Sequence, residues 1–107
     1  MAARRIVIPA TARKGDVVQI KTLIQHVMET GFRRDNEGRV VARDIVNRLT
    51  VTYAGEEIFR FELFPGISAN PYIEFTTIAT ETGDLVFSWL HDSGEVTTET
   101  RRLAVSG

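Results

Sequence analysis

The chain has 107 residues, of which 43% are hydrophobic and 25% charged, the composition of one folded globular domain spanning residues 1–107. Thirteen basic against 14 acidic side chains give a net charge of -1, without the basic excess of a nucleic-acid binder. There is no cysteine, so disulfides, thiolate metal sites, thiol nucleophiles and thiol carriers are ruled out within this chain.

Taken in order, Met1-Ala2-Ala3-Arg4-Arg5 runs into the apolar triplet Ile6-Val7-Ile8. Pro9 ends that run short of the roughly 7–15 apolar residues of a signal peptide. No stretch reaches the ~18 apolar residues of a membrane span, so the residues alone predict a cytoplasmic chain with no membrane partner. The first strand is expected at 5–9 and the second at 17–25, where Val18, Ile20, Thr22 and Ile24 alternate with Gln19, Lys21 and Gln25. Residues 40–49 could place Val41, Ile45 and Leu49 on a short helix. Strict alternation in Leu49, Val51 and Tyr53 favours a strand at 45–54, entered through an irregular stretch. Further strands are expected at 56–64, with Phe59, Phe61 and Leu63 inward, and at 71–80, 84–91 and 96–105.

Turn chemistry separates these runs. Lys14-Gly15-Asp16, Asp35-Asn36-Glu37-Gly38, Ala54-Gly55, Thr82-Gly83-Asp84 and Asp92-Ser93-Gly94 each offer a glycine able to take positive φ or an Asx side chain to bond the turn. Pro65 and Pro71 bracket a loop at Gly66–Asn70. About seven closely spaced strands read as an all-β antiparallel sandwich. Its core must rest on apolar packing, with Trp89 and the phenylalanines available.

Few residues suggest chemistry. His26 and His91 are the only histidines, and a separation of 65 positions matches no metal-ligand spacing, so both are expected at the surface or a loop edge. His91 and Asp92 would point to opposite faces of a strand unless a turn intervenes. A calcium loop around Asp35–Gly38 fails because Arg33 and Asp44 stand at the outer ligand positions, so a hairpin turn is expected there. No phosphate loop or nucleophile elbow is present. Eleven of the 13 basic residues are arginine, which suits an interface as well as a compositional habit. In the strand at 84–91, Leu85, Phe87 and Trp89 face inward, while Val86 and Leu90 place apolar bulk on the outer face. Such residues suggest burial against a partner chain, with cover by the chain's own loops as the plainer reading.

Several segments combine into a resemblance. His26-Val27-Met28-Glu29-Thr30-Gly31, followed by Arg33-Arg34-Asp35 and Gly38, is similar to the His-Pro-Met-Glu-Ser/Thr-Gly motif of the Z-subunit family of the bacterial sulfur-oxidation (Sox) carrier. Ser68-Ala69-Asn70-Pro71-Tyr72 with Glu74-Phe75 resembles that family's Ser-Ala/Thr-Asn-Pro-Tyr segment, and Trp89, Asp92 and Gly94 its ending. Pro9, Gly15, Ile20-Lys21 and Leu23-Ile24 fit its opening. Val27 departs from the family's proline, which frees a backbone N–H and relaxes Gln25-His26.

The resemblance implies an immunoglobulin-like β-sandwich. It implies no enzyme activity and no cofactor, but a heterodimer with a Y-type subunit whose tail cysteine carries the sulfur intermediates of thiosulfate oxidation. Transient docking to other Sox enzymes, and self-association when the partner is absent, would accompany that role. It also implies work in the periplasm after export together with the Y subunit. The missing cysteine agrees, since this chain cannot bear the sulfur itself. Residues His26, Met28, Glu29, Gly31, Asn70, Pro71 and Tyr72 are motif positions of unassigned role. A generic immunoglobulin-like adhesion module and an enzyme built on His26, His91 or Asp92 are the competing readings.

Overall fold

A computed structural model describes residues 4–64, 67 and 70–107. Of the motif segments, Ser68 and Ala69 lie outside the described residues, as do Pro65 and Gly66 of the bracketed loop and the first three residues. The described residues contain no helix. They form eight strands: β1 (Arg4–Val7), β2 (Thr11–Arg13), β3 (Val17–Ile24), β4 (Val46–Tyr53), β5 (Glu56–Glu62), β6 (Tyr72–Ile78), β7 (Gly83–His91) and β8 (Val96–Ser106). They make an immunoglobulin-like sandwich of a three-stranded sheet, ordered β1-β3-β6, and a five-stranded sheet, ordered β2-β8-β7-β4-β5.

The strand expected at 5–9 is β1 and ends at Val7, and β2 at Thr11–Arg13 is a strand the sequence did not predict. Pro9 cannot donate a ladder hydrogen bond, and the chain turns a corner there. Before it β1 pairs antiparallel with β3; after it β2 pairs parallel with β8 in the opposite sheet. The stretch at 40–45 is irregular rather than helical and feeds β4, held by isolated bridges between Glu29 and Asp44 and between Arg34 and Val40. The Asp35–Gly38 turn is a hairpin: Asp35 Oδ1 accepts the amides of Glu37 at 2.9 Å and Arg39 at 3.0 Å.

Alternation translates directly into packing in β3, β4 and β7. Val18, Ile20, Thr22 and Ile24, then Leu49, Val51 and Tyr53, then Leu85, Phe87 and Trp89 are all buried, and with Leu103 they fill the space between the sheets. β5 is the exception. A bulge opposite Val51/Thr52 shifts its register, Phe59 stacks on Phe75 at 4.1 Å between centroids, and Phe61 remains 40% exposed. Phe61, paired with the buried Leu49, keeps the inward face its alternation suggested, but at the sheet edge that face is only partly covered.

Candidate functional site

Four segments far apart in sequence meet at one end of the sandwich. They are residues 25–27 leaving β3, Arg43-Asp44 leading into β4, Asn70 ahead of β6, and the 91–95 turn between β7 and β8. Together they line a cleft of about 640 Å³.

Asp92 is the hub of one wall. Arg43 donates to its carboxylate in a two-pronged pair, Nε to Oδ2 at 2.8 Å and Nη2 to Oδ1 at 2.9 Å. Asn47 Nδ2 donates to Oδ1 at 3.0 Å and the Ile45 amide to Oδ2 at 3.1 Å. A carboxylate accepting several donors beside a guanidinium is strongly favoured in its charged form. The Arg43 hydrogen bond is the main cause, helped by Asn47 and Ile45 and opposed by desolvation, and the Asp92 pKa falls from 3.8 to about 2. Asp92 thus splices the 43–47 segment to the end of β7. The turn beginning at His91 lets residues 91 and 92 line one cleft, which an uninterrupted strand would forbid.

The histidines form the other wall. The His26 and His91 rings lie 5.3 Å apart, tilted by 56°. His91 is buried, not at the surface as the sequence suggested, and its Nε2 shares a 2.8 Å hydrogen bond with Thr97 Oγ1. Burial, and then the neighbouring His26, push its pKa down, so the imidazole is held neutral. His26 Nδ1 accepts the Met28 amide at 3.0 Å. The His26 amide donates to Asn70 Oδ1 at 2.8 Å, and the Asn70 amide returns a 2.7 Å bond to the His26 carbonyl. Nε2 of His26 stands 3.8 Å from Asp44 Oδ1, beyond a good hydrogen bond.

The remaining motif residues shape the loop that carries His26. Met28 has φ 54° yet is buried, with its sulfur accepting the Val46 amide at 3.4 Å. Glu29 exchanges backbone hydrogen bonds with Asp44 at 2.9 and 2.8 Å, and its carboxylate pairs with Arg33 at 2.6 Å. Gly31 has φ 86°, and a Cβ there would stand 3.1 Å from the Cβ of Arg43. Glycine is therefore required both by the backbone and by the packing of the loop on Arg43. Asn70 takes φ 53°, the Pro71 carbonyl accepts the Ile24 amide, and the exposed Tyr72 donates to Glu74 at 3.0 Å. Val27 is 75% exposed, and the turn is closed by His26 and Asn70 without the family's proline.

The structure thus gathers His26, Met28, Glu29, Gly31 and Asn70 around one loop, with Pro71 and Tyr72 leading from it into β6. Val86 and Leu90 lie apart, half-buried on the outer face of β7. There Val86 sits between Thr52 and Thr100, and Leu90 between Arg48 and Val96. Arg43, Asn47 and Thr97 escaped the sequence reading. Arg43 and Asp92 are 49 positions apart, and no local pattern marks one as the other's counter-charge.

The cleft holds one arginine against three carboxylates, Asp44, Asp92 and Glu95, so its field does not attract an anion. The Ser93 hydroxyl is engaged by the Glu95 amide at 3.2 Å, away from both imidazoles' hydrogen bonds. Among the described residues no group of three or more His, Asp or Glu side chains is placed to hold a metal ion.

This architecture is shared by several solved structures. A superoxide reductase (neelaredoxin) from Ignicoccus hospitalis matches with a TM-score of 0.73 at 15% identity, covering 96% of this chain and 80% of the other. The sulfur carrier protein SoxY from Chlorobium limicola f thiosulfatophilum matches with a TM-score of 0.69 at 15% identity, covering 98% of this chain and 80% of that one. A CARDB domain from Pyrococcus furiosus reaches 0.58 at 8% identity, over 99% of this chain and 94% of that domain. Identities this low show a common fold. No curated protein sequence matches the chain. The class is therefore an immunoglobulin-like sandwich whose motif residues build a polar cleft at one end. The family profile described as "Sulphur oxidation protein SoxZ" matches residues 5–102, and the chain belongs to that family.

Proposed function

We propose that this chain is the non-thiol subunit of a sulfur carrier complex and is not itself an enzyme. It pairs with a Y-type subunit whose cysteine bears the sulfur intermediates of thiosulfate oxidation, and it helps present that cysteine to the enzymes that load and process it. One observation carries this reading: a match to the sulphur-oxidation family over 98 of 107 residues, in a chain without a single cysteine. The cleft supports it. Its side chains are engaged in holding loops together, and its excess of carboxylates opposes binding of free anionic sulfur compounds, so its walls suit contact with another protein.

Val86 and Leu90 are the partner-facing residues in this reading, because they put apolar surface on the outer face of a central strand. The complex works in the periplasm, carried there together with its Y-type partner. Co-expression with a Y-type protein should give a one-to-one complex on size exclusion, and clean separation of the two chains would overturn the pairing. Leu90→Arg should weaken that complex while leaving the melting temperature of the isolated chain unchanged. Wild-type affinity in the variant would remove Leu90 from the interface. Cell fractionation that leaves the complex in the cytoplasm would refute the location.

A further inference from the structure

The two sheets of the sandwich have four edges, and three of them are protected. β1 is four residues long and carries Arg4 and Arg5; β2 is three residues long, preceded by Pro9 and ending at Arg13. β5 holds Glu56, Glu57, Arg60 and Glu62 among its seven residues. Short length, proline and charge are the ordinary means of preventing edge pairing. β6 is the least guarded of the four, with Pro71 before it as Pro9 stands before β2, but with neither short length nor clustered charge. It is seven residues long, Tyr72-Ile73-Glu74-Phe75-Thr76-Thr77-Ile78, with Glu74 its only charge. That carboxylate is already engaged, by Tyr72 Oη at 3.0 Å and Gln19 Nε2 at 2.6 Å.

The direction of the free backbone groups follows from the ladder. The Pro71 carbonyl faces β3, where it accepts the Ile24 amide. Along an antiparallel strand the main-chain groups alternate sides, so Tyr72, Glu74, Thr76 and Ile78 turn their N–H and C=O groups away from β3. The side chains of these four residues are exposed.

We propose that β6 is a self-association edge and that its occupant is a second copy of this chain, paired antiparallel about a two-fold axis at Phe75. This register sets Tyr72 opposite Ile78 at both ends and Glu74 opposite Thr76, so that no like charges face each other. Residues 72, 74, 76 and 78 become the hydrogen-bonded pairs, and Phe75 meets its own copy at a non-hydrogen-bonded position, as an antiparallel ladder requires. The side chains then complete a pattern left open in one copy. Val17 neighbours Ile78, and Leu23 neighbours Tyr72, on the outer face of the sheet. Pairing joins Val17, Ile78, the other copy's Tyr72 and its Leu23 into one apolar row across four strands, repeated at the other end. It covers Val17, Tyr72 and Ile78, which are 68%, 55% and 48% exposed in the single copy.

The test needs only the purified chain, so its outcome is independent of pairing with a carrier subunit. Sedimentation of the wild type should show a concentration-dependent dimer. Hydrogen exchange should show the amides of Tyr72, Glu74, Thr76 and Ile78 becoming protected as the dimer forms. Ile78→Lys places an ammonium against tyrosine at both ends and should weaken the dimer about tenfold or more. Tyr72→Lys and Ile78→Glu should each behave similarly alone. Mixed together they should re-form a dimer, since lysine then faces glutamate at one end and the native pair remains at the other. A wild-type monomer at the highest soluble concentration overturns the proposal, as does a dimer indifferent to these variants or a mixture that does not recover. Protection of the four amides only when a Y-type subunit is added would overturn the second copy as occupant.

Discussion

β7 and β5 carry similar alternating patterns and meet different fates. β7 is paired on both sides, by β4 and β8, and each residue of its inward set is buried against the facing sheet. β5 is paired on one side only and bulges against β4, so Phe59 reaches the core by stacking on Phe75 while Phe61, on the same face, stays 40% exposed. Period two in a sequence reports which residues share a face. Whether that face is covered depends on the strand's place in the sheet, which the pattern does not contain.

The widest separation between the two strands should appear on truncation. Trp89 is 1% exposed, and Trp89→Ala should cost about 3–5 kcal/mol, the range for emptying a large aromatic site. Phe61→Ala, on the bulged edge strand, should cost less than about 1 kcal/mol. Urea unfolding of the two variants checks this. Equal losses would mean that β5 is covered in solution by something other than its own sheet.

The same difference explains what was legible in the sequence. Val18, Ile20, Ile24, Leu49, Val51, Leu85, Phe87 and Trp89 could be assigned inward because each lies in a strand of a stacked layer with regular pairing. The end of the first strand at Pro9 was visible, since proline marks the end of a ladder, but not that the chain resumes as β2 in the opposite sheet. The cleft was visible only as motif positions. Its working contacts are long-range, Arg43 to Asp92, His91 to Thr97 and His26 to Asn70, and its loop depends on Met28 and Asn70 at positive φ, which few non-glycine residues adopt. His91 was misplaced because the alternation that buries Trp89 also buries the next inward residue, whatever its polarity.

The cleft end can itself be broken in graded steps. Asp92→Asn keeps the shape but removes the charge that Arg43, Asn47 and the Ile45 amide address. The folded pKa of about 2 lies below the ordinary 3.8, so the native state gains stability above about pH 4 and loses it as pH falls toward 2. A difference of this size corresponds to about 2 kcal/mol at neutral pH. Wild type and Asp92→Asn should therefore differ by about that much at pH 7 and converge near pH 2 in denaturant titrations. A constant gap across that range would show that Arg43 does not stabilise the carboxylate in solution.

Met28→Leu tests the loop more gently. Leucine fills nearly the same volume but cannot accept the Val46 amide, and it branches at a residue already held at φ 54°. The expected loss is about 1 kcal/mol, accompanied by faster hydrogen exchange at the Val46 amide. Unchanged exchange there would show that the sulfur is only a filler.

His91 should give the smallest effect, and it is read as a slope. Its folded pKa is depressed from 6.5, first by burial and then by His26, so the unfolded chain takes up a proton more readily than the folded one. Stability contributed by the neutral imidazole is present above about pH 6.5 and falls away as pH drops through the lower folded value. Asp44 and Glu95 pull the other way by favouring the imidazolium, and both line the cleft. His91→Gln retains a side-chain group able to bond Thr97 but cannot titrate. Its stability should be flatter than that of wild type below pH 6.5, and retention of the full wild-type slope would show that His91 does not cause it. Because β7 is secured from His91 back to Leu85 by core packing, the variant should keep the fold while changing only the acid response of the cleft end.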